Sequence, residues 1–142
     1  MKIIRKGSAK WSGGLKDGKG LISTESGALT DYPYGFSSRF EGQKGSNPEE
    51  LIGAAHAACF TMALSLALNE AGFTAESLET SAKISLEKLD TGFSVTASAL
   101  TLTAKVPGID DATFQKVAAG AKANCPISKL LKADISLDAK LS

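Results

Sequence analysis

The chain has 142 residues, 43% of them hydrophobic and 22% charged, with a formal net charge of +1. That is the length and composition of one ordinary globular domain, large enough to bury a core. With 16 Lys and Arg against 15 Asp and Glu, there is no electrostatic reason to expect nucleic acid or a membrane as partner.

The first residues, Met1-Lys2-Ile3-Ile4-Arg5-Lys6, carry basic side chains with no apolar run behind them and do not read as a signal peptide. The chain is expected to stay in the cytoplasm, where two cysteines remain reduced unless they do redox work. Lys2 to Gly13 reads as a strand. Gly13-Gly14 and Asp17-Gly18 then turn the chain into a hairpin that returns through Lys19 to Ser23. Residues 24–33 read as loop. Gly35 to Glu41 reads as a third strand, with Phe36 and Phe40 on one face and Arg39 on the other.

After a turn over residues 42–47, Asn47 is a good helix N-cap, Pro48 suits the first helical position, and Glu49 and Glu50 favour the positive end of the dipole. The helix is expected to reach about Ala71, where Gly72 stops it. Its middle is apolar or small on every side, which predicts burial all round and close approach by a neighbour. Leu51 to Leu68 is the longest apolar-rich stretch, but His56, Cys59, Thr61 and Ser65 interrupt it and basic flanks are lacking. A core helix therefore fits better than a membrane span.

Ile84 and Leu86 alternate with polar neighbours, and residues 89–93 read as a hairpin turn. The returning strand has Phe93, Val95, Ala97 and Ala99 on odd positions, then Leu100, Leu102, Ala104 and Val106 on even ones. That change of phase predicts a bulge, or burial on both faces, near Ala99-Leu100. Asp110 caps a helix running to about Ala123, Cys125-Pro126 interrupts it, and Pro126 to Leu131 forms a short further helix. Ile135, Leu137, Ala139 and Leu141 mark a last strand. The order β-β-β-α-β-β-α-α-β, with hairpins and no βαβ alternation, predicts a single α+β domain over 1–142 with mostly antiparallel strands.

Two cysteines and one histidine are too few for a tetrahedral zinc site without carboxylates, and there is no C-x-x-C. No metal or cofactor is expected. Cys59 lies inside the apolar helix, where burial raises a thiol pKa and makes it inert unless a cation is delivered to it. His56 lies three residues earlier on roughly the same face, which allows a Cys-His pair. Side chains at that spacing stack rather than meet head-on, however, and a lone histidine among alanines is more often a packed core group. Cys125 sits at the cap of the short helix, where the dipole lowers a thiol pKa, with Lys122 and Lys129 near in sequence. Local physics thus makes Cys125 the more activated thiol. Arg39 reads as a solvated strand arginine, and dipole complementarity already accounts for Glu49 and Glu50. Ten helical residues separate Glu49 from Cys59, a rise of about 15 Å that no side chain bridges. If the two share a site, the helix is broken or the glutamate comes from a second subunit.

The run Tyr34-Gly35-Phe36-Ser37-Ser38-Arg39-Phe40-Glu41-Gly42, followed by Asn47-Pro48-Glu49-Glu50-Leu51-Ile52-Gly53-Ala54-Ala55-His56-Ala57-Ala58-Cys59-Phe60, resembles the OsmC branch of the OsmC/Ohr peroxidases. Ala123-Asn124-Cys125-Pro126-Ile127-Ser128-Lys129 matches that family's second-cysteine motif. The likeness spans nearly the whole chain. It implies an intertwined α+β homodimer with antiparallel sheets packed on long central helices, and active sites at the subunit interface. It also implies that Cys59 is the peroxidatic cysteine, Cys125 the resolving one, Arg39 the cation that holds Cys59 as thiolate, and Glu49 the carboxylate that orients Arg39. The implied substrate is an organic hydroperoxide, reduced through a Cys59 sulfenic acid and a Cys59–Cys125 disulfide. The implied reductant is a dithiol such as dihydrolipoamide or a lipoylated protein. Phe36, Phe40, Phe60 and Met62 are candidates to line an apolar pocket. Two rivals stand beside this reading: a Cys59/His56 acyl-transfer enzyme, and a non-enzymatic carrier with an apolar cavity.

Overall fold

The computed structural model describes all 142 residues. In chain order the elements are β1 (Gly7–Ser12), β2 (Lys19–Thr24), β3 (Tyr32–Tyr34), α1 (Phe36–Phe40), α2 (Pro48–Glu70), β4 (Ser77–Leu89), β5 (Gly92–Lys105), α3 (Asp111–Asn124), α4 (Pro126–Leu130) and β6 (Asp134–Leu141). The class is α+β, with two three-stranded sheets and one long helix. The chain divides into two compact units, Met1–Leu51 and Ile52–Ser142.

In the first unit β1, β2 and β3 form an antiparallel sheet in that order. β1 starts at Gly7 rather than at Lys2. The third strand is Tyr32–Tyr34, inside the stretch read as loop, and the expected strand Gly35 to Glu41 is instead helix α1. The side-chain pattern misleads there because a spacing of four residues puts Phe36 and Phe40 on one face of a helix as well as of a strand. Their rings lie 5.0 Å apart. Ser38 decides for the helix: its Oγ accepts from the Gly35 N–H at 2.9 Å and donates to the Ser46 carbonyl at 2.8 Å. β3 is held by ring packing, with Tyr34 5.5 Å from Trp11 and lying over Gly20, where any Cβ would collide with the ring.

Asn47 caps α2 as expected. Its Oδ1 accepts from the Glu50 N–H at 2.8 Å while Glu50 Oε1 accepts from the Asn47 N–H at 3.1 Å, a reciprocal capping box. At the other end Gly72 takes φ +90°, and the Phe73 N–H donates to the Leu68 carbonyl at 2.8 Å.

In the second unit the remainder of α2 presents Gly53, His56, Phe60, Leu64 and Leu68 to the interior, a stripe at spacings of three and four. Phe60, Leu64 and Leu68 pack with Leu100, Leu102, Ala104 and Val106 from β5 and its end, and with Phe114, Ala118 and Ala121 from α3. At Gly53 the helix meets β4 so closely that a Cβ would lie 3.1 Å from the Ala82 carbonyl oxygen. The expectation of burial all round is corrected: Met62 is 76% and Leu66 60% exposed. Composition makes the helix apolar on every side, and long and apolar enough by those measures to cross a membrane. One chain supplies packing elements for one side.

β4 and β5 pair antiparallel, with one register shift at Ser85/Leu86 that leaves Thr96 of β5 as the extra residue. The bulge thus lies a few residues before the expected Ala99-Leu100 position. It turns Ser98, Leu100, Leu102 and Ala104 to the core while Thr101 and Thr103 stay exposed. β5 and β6 pair parallel, from Ala97↔Asp134 to Ala104↔Leu141. This corrects the expected absence of a βαβ unit: α3 and α4 carry the chain back to the end of β5 where it can run in the same direction.

Candidate active site

The first unit contributes a charged pair. Arg39 stands on the last turn of α1 and Glu49 in the first turn of α2. Arg39 Nη2 donates to Glu49 Oε1 at 2.6 Å, and Arg39 Nε lies 3.2 Å from both carboxylate oxygens. The guanidinium carbon lies 5.3 Å from the centre of the Phe40 ring. Glu50 is committed to the capping box, so Glu49 is the partner of Arg39, and the choice between two adjacent glutamates is made by helix-cap chemistry. Arg39 is on a helix and not on the polar face of a strand. Beside it Trp11, Leu15, Tyr34, Phe36 and Phe40 enclose an apolar hollow of about 210 Å³.

The second unit contributes the thiols. Cys125 is at once the C-cap of α3 and the N-cap of α4: its N–H donates to the Ala121 carbonyl at 2.9 Å and its carbonyl accepts from the Lys129 N–H at 3.1 Å. Pro126 forces this junction by supplying no N–H to continue α3 and a preset φ to begin α4. Both cysteines are free, Cys125 fully buried and Cys59 partly so. The two thiols act on each other's protons. Burial pushes Cys59 above the ordinary thiol range, and the bond it donates to Cys125 holds its proton further, against an opposing bond from the Ile127 N–H. For Cys125 burial also acts upward, but the Cys59 thiol, the Ser128 N–H and hydroxyl and the Ile127 N–H together outweigh it and bring the group below its ordinary value. None of the Cys125 contacts closes into a standard capping bond.

His56 is fully buried and does not pair with Cys59. Its Nδ1 lies 2.6 Å from Ser98 Oγ of β5 and its Nε2 2.8 Å from Ser128 Oγ of α4. Burial lowers its pKa, so it is neutral. With both nitrogens engaged it is not placed to serve Cys59 as a base, which weakens the acyl-transfer rival. Neither serine was singled out from the sequence. Ser128 had a signal, standing three residues after a helix-capping Cys125; Ser98, a polar residue on a core strand, had none.

An apolar groove of about 760 Å³ runs between α2 and α3, with Cys59, Met62, Leu66, Val117 and Pro126 among its walls. Phe60, expected at a pocket, is instead in the core.

Residues 41–140 match the family model described as OsmC-like protein, and the chain belongs to that family. It is 60% identical over 141 residues to Peroxiredoxin OsmC of Escherichia coli K12, covering 99% of both chains. It is 28% identical over 123 residues to the organic hydroperoxide resistance protein OhrB of Bacillus subtilis, covering 86% of this chain and 88% of that one. The crystal structure of OhrB superposes with a TM-score of 0.68 at 27% identity, over 96% of this chain and 98% of that one. An OsmC-like protein from Mycoplasma pneumoniae shares the fold with a TM-score of 0.76 at 15% identity, over 99% of each chain.

Proposed function

We propose that this chain is a cysteine-based peroxidase, an oxidoreductase that reduces organic hydroperoxides, and hydrogen peroxide more weakly. The observation that carries the reading is that Cys59 packs against the core cluster that holds Cys125, in a chain whose relatives are a peroxiredoxin and a hydroperoxide resistance protein. The Cys59 thiolate attacks the peroxide O–O bond. The S–O bond forms as the O–O bond breaks, the alkoxide takes a proton and leaves as alcohol, and Cys59 is left as sulfenic acid. Cys125 then attacks that sulfur, forming the disulfide and releasing water. An external dithiol, dihydrolipoamide or a lipoylated protein, restores both thiols by exchange.

Cys59 needs a cation, because burial alone holds its proton in place. Arg39, oriented by Glu49, fits that role. The 15 Å helical rise between Glu49 and Cys59 favours delivery from a second subunit. We therefore place the enzyme as a cytoplasmic homodimer in which the Arg39–Glu49 pair of one chain completes the thiol pair of the other. The exposed Met62 and Leu66 support such an assembly. The apolar groove beside Cys59 supports an organic peroxide over hydrogen peroxide.

The test is consumption of tert-butyl or cumene hydroperoxide with dihydrolipoamide by wild type, Cys59→Ser, Cys125→Ser and Arg39→Ala. Cys59→Ser is expected to be inactive, Cys125→Ser to accumulate sulfenic acid, and Arg39→Ala to react more slowly. A wild-type protein that consumes no peroxide with any dithiol, or a Cys59→Ser variant as fast as wild type, sinks the reading.

A further inference from the structure

His56 is the one fully buried titratable side chain that the scheme above leaves without a task. Both of its ring nitrogens are engaged by hydroxyls. Ser98, itself fully buried, meets Nδ1, and Ser128 meets Nε2. Ser128 in turn acts on Cys125 through its hydroxyl and its N–H. Hydrogen bonds run from Ser98 of β5 through His56 of α2 to Ser128, which stands in the first turn of the helix that Cys125 caps.

We propose that His56 is the positioning residue of the resolving half-reaction: as the Nε2–H tautomer it holds the Ser128 hydroxyl as a donor to Cys125, and so keeps Cys125 as the thiolate that attacks the Cys59 sulfenic acid. The proposal rests on the assignment of Cys59 and Cys125 made above. A neutral histidine has one N–H. With the proton on Nε2, Ser98 donates to Nδ1, Nε2–H donates to Ser128 Oγ, and the Ser128 proton is free to point at sulfur. With the proton on Nδ1, Ser128 spends its proton on Nε2 and has none for Cys125. The first arrangement satisfies every atom in the line and ends on an anion, which strengthens each bond before it. In the step itself the Cys125 sulfur supplies the electron pair for the S–S bond. The S–O bond of the sulfenic acid breaks, and the departing hydroxide takes a proton and leaves as water; His56 stays neutral throughout.

Apart from Cys59, the charged and titratable neighbours do not offer another source for the effect. From α2 the group acting on Cys125 is Cys59. From α3 Lys122 donates to the Ile135 carbonyl of β6 at 3.5 Å. Lys129 of α4 is exposed. β5 presents the uncharged Ser98, and on His56 the influence is burial.

The experiment is a titration of Cys125 in full-length Cys59→Ser protein, which keeps a donor beside it, followed by thiolate ultraviolet absorbance and by the rate of iodoacetamide alkylation against pH. Ser128→Ala and His56→Leu are each expected to raise the midpoint by about one pH unit. The double variant should go no further than either alone, because both break the same line. His56→Gln offers an amide N–H near the Nε2 position and is expected to return the midpoint toward wild type; a space-filling role would make Leu and Gln equivalent. With Cys59 present, the rate of disulfide formation after one equivalent of peroxide should fall about tenfold below the shifted midpoint in Ser128→Ala. A folded Ser128→Ala protein with an unchanged midpoint overturns the proposal, whether or not His56→Leu folds. The titration uses no peroxide, so a failure to detect sulfenic acid on Cys59 would count against the peroxidase reading and leave this result standing.

Discussion

Burial and hydrogen bonding separate the two thiols: Cys59 is the proton donor and Cys125 the acceptor within one chain. In the proposed scheme the cation that reverses this order on Cys59 is Arg39, which Glu49 grips at two points. That pair has side-chain exposures of 36% and 13%, so its worth to stability is below about 1 kcal/mol. Glu49→Gln is accordingly expected to leave the thermal midpoint almost unmoved while lowering the rate of peroxide consumption about tenfold or more, since in the proposed assembly a loosened guanidinium would no longer face the thiolate at a fixed angle. His56 gives a different dependence. Its folded pKa lies below the unfolded value of 6.5, so below 6.5 the unfolded chain binds a proton that the folded one refuses. The contribution is intact above that pH and is lost as pH falls toward the folded pKa. Urea midpoints of wild type should decline between neutral pH and pH ~5, and less steeply in His56→Gln. The Asp110 cap is lowered from 3.8 and so weakens in a more acidic range. At this scale the sequence was legible where a residue's role is local, as for Asn47 and Cys125. It was silent on Ser98, whose partner lies 42 positions away.

α2 shows which parts of an element a sequence declares. Its start was readable because Asn47 and Glu50 have the spacing of a capping box, and its end because Gly72 can take a positive φ. Asn47→Ala should therefore destabilise by about 1 kcal/mol in urea unfolding. Phe60→Ala, in the middle of the buried stripe, should cost about 3–5 kcal/mol. Which face of α2 is buried was not readable, because alanine, leucine and methionine cover every side and only the strands and helices that arrive later in the chain choose among them. α1 was misread because two aromatic residues four apart suit a helix and a strand equally, and Ser38 settles the matter through a bond to Ser46. The parallel pairing of β5 with β6 depends on where a crossover lands, which alternation within a strand does not encode.

At the scale of the molecule, the exposed Met62 and Leu66 on α2 are the feature that the proposed homodimer accounts for. Sedimentation of the wild type should give twice the 14.7 kDa chain mass. Met62→Glu with Leu66→Lys should shift it toward one chain and remove peroxidase activity in step, because the Arg39–Glu49 pair and the thiols then sit on separate molecules. A monomeric variant of undiminished activity would refute the shared site while leaving the thiol chemistry intact.

The double capping of Cys125 also bears on time. Its amide and carbonyl are each tied to a different helix, so its backbone is held on both sides. Closing the proposed Cys59–Cys125 disulfide would then take a turn about side-chain bonds, a picosecond-to-nanosecond event, and no local melting on the microsecond-to-millisecond scale. Oxidation should therefore pass almost unseen in the amide hydrogen exchange of α3 and α4. The enzyme would also show no lag between sulfenic acid and disulfide beyond that of the bond-making itself.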